Sequence, residues 1–90
     1  MDFESDPLKE ESNLSKHGVD FIEAQELWEV RNVVSRAGRV KGEERWGIVG
    51  RLRDRLYVAI FTLRGGRVRL ISCHRADANW EKLYAQETIH

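Results

Sequence analysis

The chain has 90 residues, of which 41% are hydrophobic and 33% are charged, and this composition predicts one soluble globular domain spanning residues 1–90. No apolar run approaches the roughly 20 residues that cross a bilayer, and the acidic start MDFESDP lacks the apolar core of a signal peptide. The single cysteine, Cys73, excludes an internal disulfide and a cysteine-based zinc site. We therefore expect a cytoplasmic protein that binds no membrane, no metal and no other cofactor.

The net charge of zero conceals three blocks of different sign. Residues 1–30 carry two basic and nine acidic side chains, whereas residues 31–75 carry twelve basic and three acidic ones. The remaining residues, 76–90, carry one lysine and three acids. Arginines make up eleven of the twelve basic residues in the central block, and arginine favours bidentate contacts with phosphate or carboxylate. Alternatively, these arginines keep strands soluble and pair with the acidic N-terminal block.

The acidic N-terminal block predicts two helices. Asp6-Pro7 is typical of a helix start, because an N-cap acid precedes a proline at the first helical position. Gly18 is suited to the end of this first helix. Asp20 and Glu23 have capping-box spacing and predict a second helix that ends near Glu29.

Strand patterns occupy the basic block. We predict four strands, at residues 31–35, 45–51, 56–63 and 68–73. The segment 37–42 predicts a loop, and Gly65-Gly66 predicts a hairpin between the last two strands. Asp77 is suited to cap a final helix. The expected fold is α+β, with two N-terminal helices, a four-stranded antiparallel sheet and a C-terminal helix.

Three stretches of the chain together resemble the BrnT family. The first joins Asp6-Pro7 to the turn Asn13-Leu14-Ser15-Lys16-His17-Gly18-Val19. The second is Glu43-Glu44-Arg45, which leads into Val49-Gly50. The third is Phe61-Thr62-Leu63-Arg64, the glycine hairpin and Val68-Arg69-Leu70-Ile71-Ser72. These stretches follow one another in the order and at the spacing of the family.

The resemblance implies a RelE-like antiparallel sheet flanked by helices and a toxin of a type II toxin–antitoxin system. It implies translation arrest through RNA cleavage and neutralisation by a BrnA-like ribbon-helix-helix antitoxin in a hetero-oligomer. The antitoxin would supply the contacts of that complex with operator DNA. At the end of the last strand, where the family commonly reads Ser-Ala-Arg, this chain reads Ser72-Cys73-His74, followed by Arg75.

Histidines are the expected proton carriers of such a site. Metal-independent RNA cleavage uses the 2′-hydroxyl of the substrate as nucleophile and needs a base, an acid and cations. His74 is the preferred acid or base, since histidine exchanges protons near neutral pH; alternatively, it is an exposed residue at a strand end. His17 is the second candidate, and its alternative role is to stabilise a helix end. His90 is terminal, and we expect it to be disordered.

Arginines are the expected phosphate ligands. Arg64 matches the Thr-x-Arg of the family, and we expect Arg64 and Arg75 to bind phosphate within the catalytic set. Glu44 is a further candidate base, with an ion pair to Arg45 as the alternative. The expected RNA-binding residues are Lys16, Arg45, Arg67, Arg69 and Tyr84. The alternatives are a solvated sheet face for the arginines of the last strand and core packing for the tyrosine.

Two other functions are compatible with the sequence. The chain could be a catalytically weak or inactive BrnT-like protein that acts as an antitoxin-binding co-repressor module, and its partly apolar last helix favours this. It could also bind nucleic acid directly. However, no predicted helix is basic enough for the major groove, and no aromatic and basic RNA-recognition pattern is present.

Overall fold

A computed structural model describes residues 1–88, so His90 lies outside the described residues. This part of the chain contains five strands, three α-helices and one 3₁₀ helix. In chain order they are β1 (Phe3–Ser5), α1 (Pro7–His17), α2 (Phe21–Ala24), a 3₁₀ helix (Gln25–Trp28), β2 (Asn32–Val40), β3 (Glu43–Leu52), β4 (Arg55–Arg64), β5 (Arg67–Arg75) and α3 (Ala78–Thr88).

The predicted caps of the first two helices are confirmed. A side-chain oxygen of Asp6 accepts the N–H of Leu8 at 2.9 Å, and α1 ends at Gly18, whose φ of 69° is left-handed. Asp20 accepts the N–H of Glu23 at 2.7 Å. The second helix differs from the prediction, because its α-helical part has only four residues and then tightens into the 3₁₀ helix.

The prediction of a four-stranded antiparallel sheet is wrong. The sheet is mixed and has five strands in the order β1-β5-β4-β3-β2, with β1 parallel to β5 and the other neighbours antiparallel. The architecture remains α+β. A strand also precedes the helices, so the chain does not begin with the two helices that we predicted.

β1 has only three residues, with no apolar alternation that would predict a strand. Tertiary contacts explain why it nevertheless joins the sheet. Phe3 packs edge-on against Trp28 with ring centroids 5.0 Å apart, and Trp28 packs in turn against Phe61 at 5.1 Å. Glu4 forms an ion pair with Arg69 of β5 at 2.7 Å. Both partners of β1 are distant in sequence, so its local sequence gives no strand signal.

The prediction of a loop over 37–42 is also largely wrong, because β2 continues through Val40. The pairing of β2 with β3 resumes at Arg39↔Glu44 after an irregularity, and the turn is confined to Lys41 and Gly42. Glycine and polar residues at an exposed, irregular edge therefore continue the strand instead of ending it.

The two faces of the sheet have different roles. Buried apolar side chains of β3, β4 and β5 face α2, the 3₁₀ helix and the segment between α1 and α2, and this is the hydrophobic core: Val19, Phe21, Ala24, Leu27, Ile48, Leu52, Tyr57, Ala59, Phe61, Val68, Leu70 and Cys73. A β-bulge interrupts β5, because Phe61 pairs with Leu70 whereas Ile60 pairs with Ser72. The extra residue, Ile71, shifts the alternation, so Cys73 enters the core and His74 faces the opposite side.

The opposite face is only partly covered. α3 packs on the β2 and β3 end of this face, where the ring of Trp80 lies directly over Gly47. His74 of β5 is half-buried on the same face, beside the buried Val58 of β4. Within residues 1–88, no helix is long and apolar enough to cross a membrane.

Candidate active site

A groove of about 330 Å³ lies between α1 and the bulged part of β5. Two rows of α1 residues form the helical side of the groove, beginning at Leu8 and at Lys9. Residues within a row are four apart, so each row occupies one stripe of the helix surface, and the two stripes are neighbours. The β5 side is built from the bulge residue and its neighbour. We call this site the histidine groove, and its lining residues are Leu8, Lys9, Ser12, Asn13, Lys16, His17, Ile71 and Ser72.

Two predicted catalytic residues meet beside this groove. The rings of His17, at the end of α1, and His74, on β5, have centroids 5.6 Å apart and are tilted by 49°. Nδ1 of His74 lies 3.0 Å from the carbonyl oxygen of Arg75. A carbonyl oxygen only accepts, so Nδ1 donates, and Nε2 of the neutral ring remains as a proton acceptor.

Asn13 fixes the helix against the strand that carries His74. Its amide donates to the carbonyl oxygens of Cys73 and Val19, at 2.7 and 2.9 Å, and its side-chain oxygen accepts the N–H of Cys73 at 2.9 Å. The Asn13 side chain therefore pairs with β5 much as a neighbouring strand would, beyond the short segment that β1 covers. This anchor holds His17 and His74 on elements that lie far apart in sequence.

Burial keeps the thiol next to this site neutral. Cys73 is fully buried, and desolvation, with a smaller contribution from the charge of Glu23, raises the pKa of its thiol to about 12. A thiolate is the nucleophilic form of cysteine, and burial disfavours it. The chemistry of the site therefore falls to its histidines and cations.

A second cluster of cations lies at the other end of the same open face of the sheet. We call it the arginine end, and it comprises Arg45, Arg64, Arg67 and Arg69. Two members are engaged with acids: Arg64 binds Glu43 through Nε at 2.7 Å and Nη2 at 3.1 Å, and Arg69 binds Glu4. The hydrogen bond from Arg64 holds the pKa of the Glu43 carboxyl below its usual value, and the same bond raises the pKa of Arg64.

The other two members of the arginine end form no ion pair within residues 1–88. Arg67 is exposed, whereas Nε of Arg45 is buried and has no hydrogen-bond partner in that part of the chain. This end is remote from the histidines. His74 pairs with Val58, six residues along β4 from Arg64, which corresponds to about 20 Å at ~3.3 Å per residue.

The remaining predicted residues lie in different surroundings. Lys16 lines the histidine groove, whereas the exposed side chain of Arg75 points to the opposite face from His74. Glu44 pairs with Arg36 and Arg39 at 3.2 and 2.9 Å. Tyr84 is half-buried on α3. The structure thus brings His17, His74 and Lys16 together and leaves Glu44 and Tyr84 outside that group.

Sequence reasoning missed several residues of these clusters. Lys9, Ser12 and Ser72 line the histidine groove. Glu43 forms an ion pair with Arg64, the predicted phosphate ligand. Lys9 lies four residues before Asn13, and Ser12 lies four residues before Lys16. This helical spacing was the sequence signal that could have placed Lys9 and Ser12 in the groove. Within the described part of the chain, no group of three or more His, Cys, Asp or Glu side chains could hold a metal ion.

The structure defines a small α+β domain that presents paired histidines and a set of arginines on one open side of its sheet. Residues 6–79 match the family described as "Ribonuclease toxin, BrnT, of type II toxin-antitoxin system". This match covers most of the 90 residues, so the chain belongs to the BrnT family of ribonuclease toxins. Membership implies a protein antitoxin as partner. A search among curated proteins gave no match.

Proposed function

We propose that this BrnT protein is a metal-independent endoribonuclease that arrests translation, with the histidine groove at its active site. The contact between His17 and His74, with centroids 5.6 Å apart, carries this proposal. A ring nitrogen reaches about 2.8 Å to a hydrogen-bonded oxygen, so both rings can address oxygens of a single phosphate group. Two histidines around one phosphate supply the acid and the base that cleavage of RNA requires.

The surroundings of the two rings favour separate roles. His74 has Nε2 available as an acceptor, so it is the proposed base that takes the proton from the 2′-hydroxyl. His17 lies at the end of α1, where the helix carbonyls interact favourably with a cation, so it is the proposed acid. The 2′-oxygen bonds to phosphorus, the bond to the 5′-oxygen breaks, and His17 protonates that leaving oxygen. The products are a 2′,3′-cyclic phosphate and a 5′-hydroxyl.

The cations supply charge around this step. Lys16 lines the groove beside His17 and would offset the negative charge that develops on the phosphate oxygens. The arginine end shares the open face with His74 and would bind phosphates farther along the same RNA. Arg75 points to the other face, so it would bind a phosphate where the RNA passes the end of β5. Arg64 must first exchange Glu43 for a phosphate, and we expect it to contribute less than Arg67.

We propose a BrnA-like ribbon-helix-helix protein as the antitoxin, in a hetero-oligomer that contacts operator DNA through the antitoxin alone. The absence of any strongly basic helix among residues 1–88 supports this division of roles, since α1 and α3 carry two acids each. The free cations of the open face suit an acidic or amphipathic segment of such a partner.

One observation favours a second candidate, a catalytically weak or inactive module that binds the antitoxin and assists repression. Glu43 and Glu4 already occupy Arg64 and Arg69, so two of the four cations at the arginine end are neutralised. An RNA substrate would have to compete with both acids.

The test is cleavage of free and ribosome-bound RNA by purified wild-type protein and by His17→Ala, His74→Ala and His74→Arg variants, with and without a chelator. We expect each alanine variant to lose about 10²–10⁴-fold in rate at wild-type stability, since this is the usual contribution of an acid or base. Lys82→Ala, which removes an exposed cation on α3, is the matched control and should cleave normally.

The wild-type rate should rise and fall with pH, because one histidine must be neutral and the other protonated. Each alanine variant should lose the corresponding limb of that profile. Full activity of His74→Ala across the pH series, or activity that disappears with the chelator, would contradict the proposed mechanism. If the wild-type protein cleaves no RNA but still binds its antitoxin, the second candidate is correct. If His74→Arg cleaves RNA faster than the wild-type protein, the side chain at position 74 contributes through its positive charge and not through proton transfer.

A further inference from the structure

The histidine groove contains groups that the acid–base step does not use. Lys9, Ser12 and Ser72 line it, yet none of them is needed to move a proton between His17 and His74. Its volume of about 330 Å³ lies at the lower end of the range for small-molecule sites. It is therefore a depression large enough to hold a ligand group next to the paired rings.

The lining is divided by chemistry. Leu8 and Ile71 present apolar surface, and the side chain of Leu8 is 75% exposed although an apolar side chain of this size normally gains from burial. Ser12 and Ser72 add hydroxyls, which both donate and accept hydrogen bonds. Lys9 and Lys16 contribute two positive charges from one helix.

We propose that this groove is a subsite for one nucleotide of the RNA substrate, and this proposal rests on the proposed function. The base packs on Leu8 and Ile71, the serine hydroxyls bond to the ribose, and the lysines bind the phosphate. The nucleotide held here adjoins the phosphate that His17 and His74 cleave. A subsite of this kind would make the rate depend on the base beside the cleaved bond.

The lining argues for a nucleotide over its simpler components. Inorganic phosphate would use Lys9 and Lys16 but would gain nothing from the exposed apolar surface. Apolar groups alone would leave both ammonium groups and both hydroxyls without partners. A nucleotide combines a flat apolar base, a hydroxyl-bearing sugar and a phosphate, so it is the ligand class that engages all three kinds of group.

The test measures binding of the four 3′-ribonucleoside monophosphates and of inorganic phosphate to the full-length wild-type protein by amide chemical shifts. Ser12→Phe fills the groove with a ring, and Ser15→Phe is the matched control, because Ser15 is exposed on the same helix but does not line the groove. Thermal melting of both variants checks that they fold. RNA cleavage by each protein is measured in parallel.

We expect nucleotide-dependent shifts at Ser12, Lys16 and Ser72, and at least tenfold weaker binding of inorganic phosphate. Ser12→Phe should weaken nucleotide binding at least tenfold and change the base preference of cleavage, whereas Ser15→Phe should do neither. The proposed subsite would be overturned by equal affinity for phosphate and nucleotides, or by normal nucleotide binding to a folded Ser12→Phe protein. Cleavage without nucleotide binding in the groove would overturn the subsite alone. Nucleotide binding without cleavage by any protein would support the subsite and overturn the proposed ribonuclease mechanism.

Discussion

Asn13 connects the stability of the fold to the geometry of the site. Its buried amide satisfies three backbone groups, two of which belong to Cys73, the residue before His74. Removing a buried partner leaves these groups without hydrogen bonds, and each orphaned group costs free energy. The consequences should therefore reach both the stability of the protein and the distance between the two histidines.

We expect Asn13→Ala to lower the free energy of unfolding by about 2–4 kcal/mol, measured by urea denaturation. Ser15→Ala, on the exposed side of the same helix, is the control and should change it by less than about 0.5 kcal/mol. An Asn13→Ala protein as stable as wild type would show that water replaces the amide.

Cys73 links the same strand to alkaline pH. The free thiol ionises near pH 8.5, but burial raises the pKa of the folded thiol to about 12, so the stability that Cys73 contributes is present below pH 8.5. As pH rises above that value, only the unfolded chain loses its proton. Stability should then fall by roughly 1 kcal/mol per pH unit because of this thiol.

The measurement is urea denaturation of wild type and Cys73→Ala between pH 8 and 10.5. The wild-type protein should lose more stability over this interval than the alanine variant, which has no thiol to ionise in the unfolded chain. In a companion experiment at pH 8, iodoacetamide should leave the folded thiol unmodified and label it in urea. Identical pH dependence of the two proteins would contradict the raised pKa.

Candidate residues were easier to name from the sequence than to place relative to one another. Histidine and arginine are suited to RNA cleavage, and the resemblance to the BrnT family marks His17 and Arg64, so these two residues and His74 could be named as candidates from the sequence. Their distances could not, because they depend on the bulge in β5 and on contacts between α1 and β5. Simple alternation from Leu70 would have put His74 in the core.

At the scale of elements, α3 is positioned by one close contact. A β-carbon at position 47 would overlap Cη2 of the Trp80 ring and would lie 2.6 Å from its Cζ2. Gly47 is therefore required by space and not by its backbone conformation. The ring of Trp80 occupies this space, and α3 thereby packs closely on β3.

We expect Gly47→Ala to cost about 1–3 kcal/mol of stability, because the added methyl group must displace the ring. In a Trp80→Ala background the same change should cost far less. A double-mutant cycle by urea denaturation measures this difference directly. Additive effects of the two substitutions would mean that the ring and the glycine do not share this space.

Elements were predictable where their signals are local. The caps at Asp6, Gly18 and Asp20 and the glycine hairpin before β5 depend on a few adjacent residues, and the structure has each of them. β1 was not predictable, since Phe3 and Glu4 find their partners at Trp28 and Arg69. The 3₁₀ helix and the long β2 likewise depend on how distant segments pack.

At the scale of the whole molecule, the acidic and basic blocks of the sequence neutralise each other only in part. Among the residues that the structure describes, two ion pairs join the blocks, from Glu4 to Arg69 and from Glu23 to Arg53. Five of the twelve basic residues in 31–75 form ion pairs within residues 1–88, and seven do not. The protein therefore retains an excess of positive charge around its sheet despite its net charge of zero.

This excess should accelerate encounter with an acidic segment of the antitoxin. We expect the association rate to fall roughly tenfold as ionic strength rises from about 0.02 to about 0.5 M, measured by stopped-flow, because salt screens exposed charges. The dissociation rate should change much less, and Arg67→Gln should flatten the salt dependence of association. An association rate that does not respond to salt would rule out electrostatic steering.

The extra residue in β5 also has a consequence for how relatives of this protein are to be aligned. Whether position 74 faces outward or into the hydrophobic core is decided by counting residues from Leu70, so it depends on the number of residues in the strand as well as on residue type. A relative whose last strand lacks the insertion reaches the same outward position one residue earlier. Column-by-column comparison would then match an outward histidine with an inward side chain, and the gap must be placed at Ile71 before any substitution is interpreted.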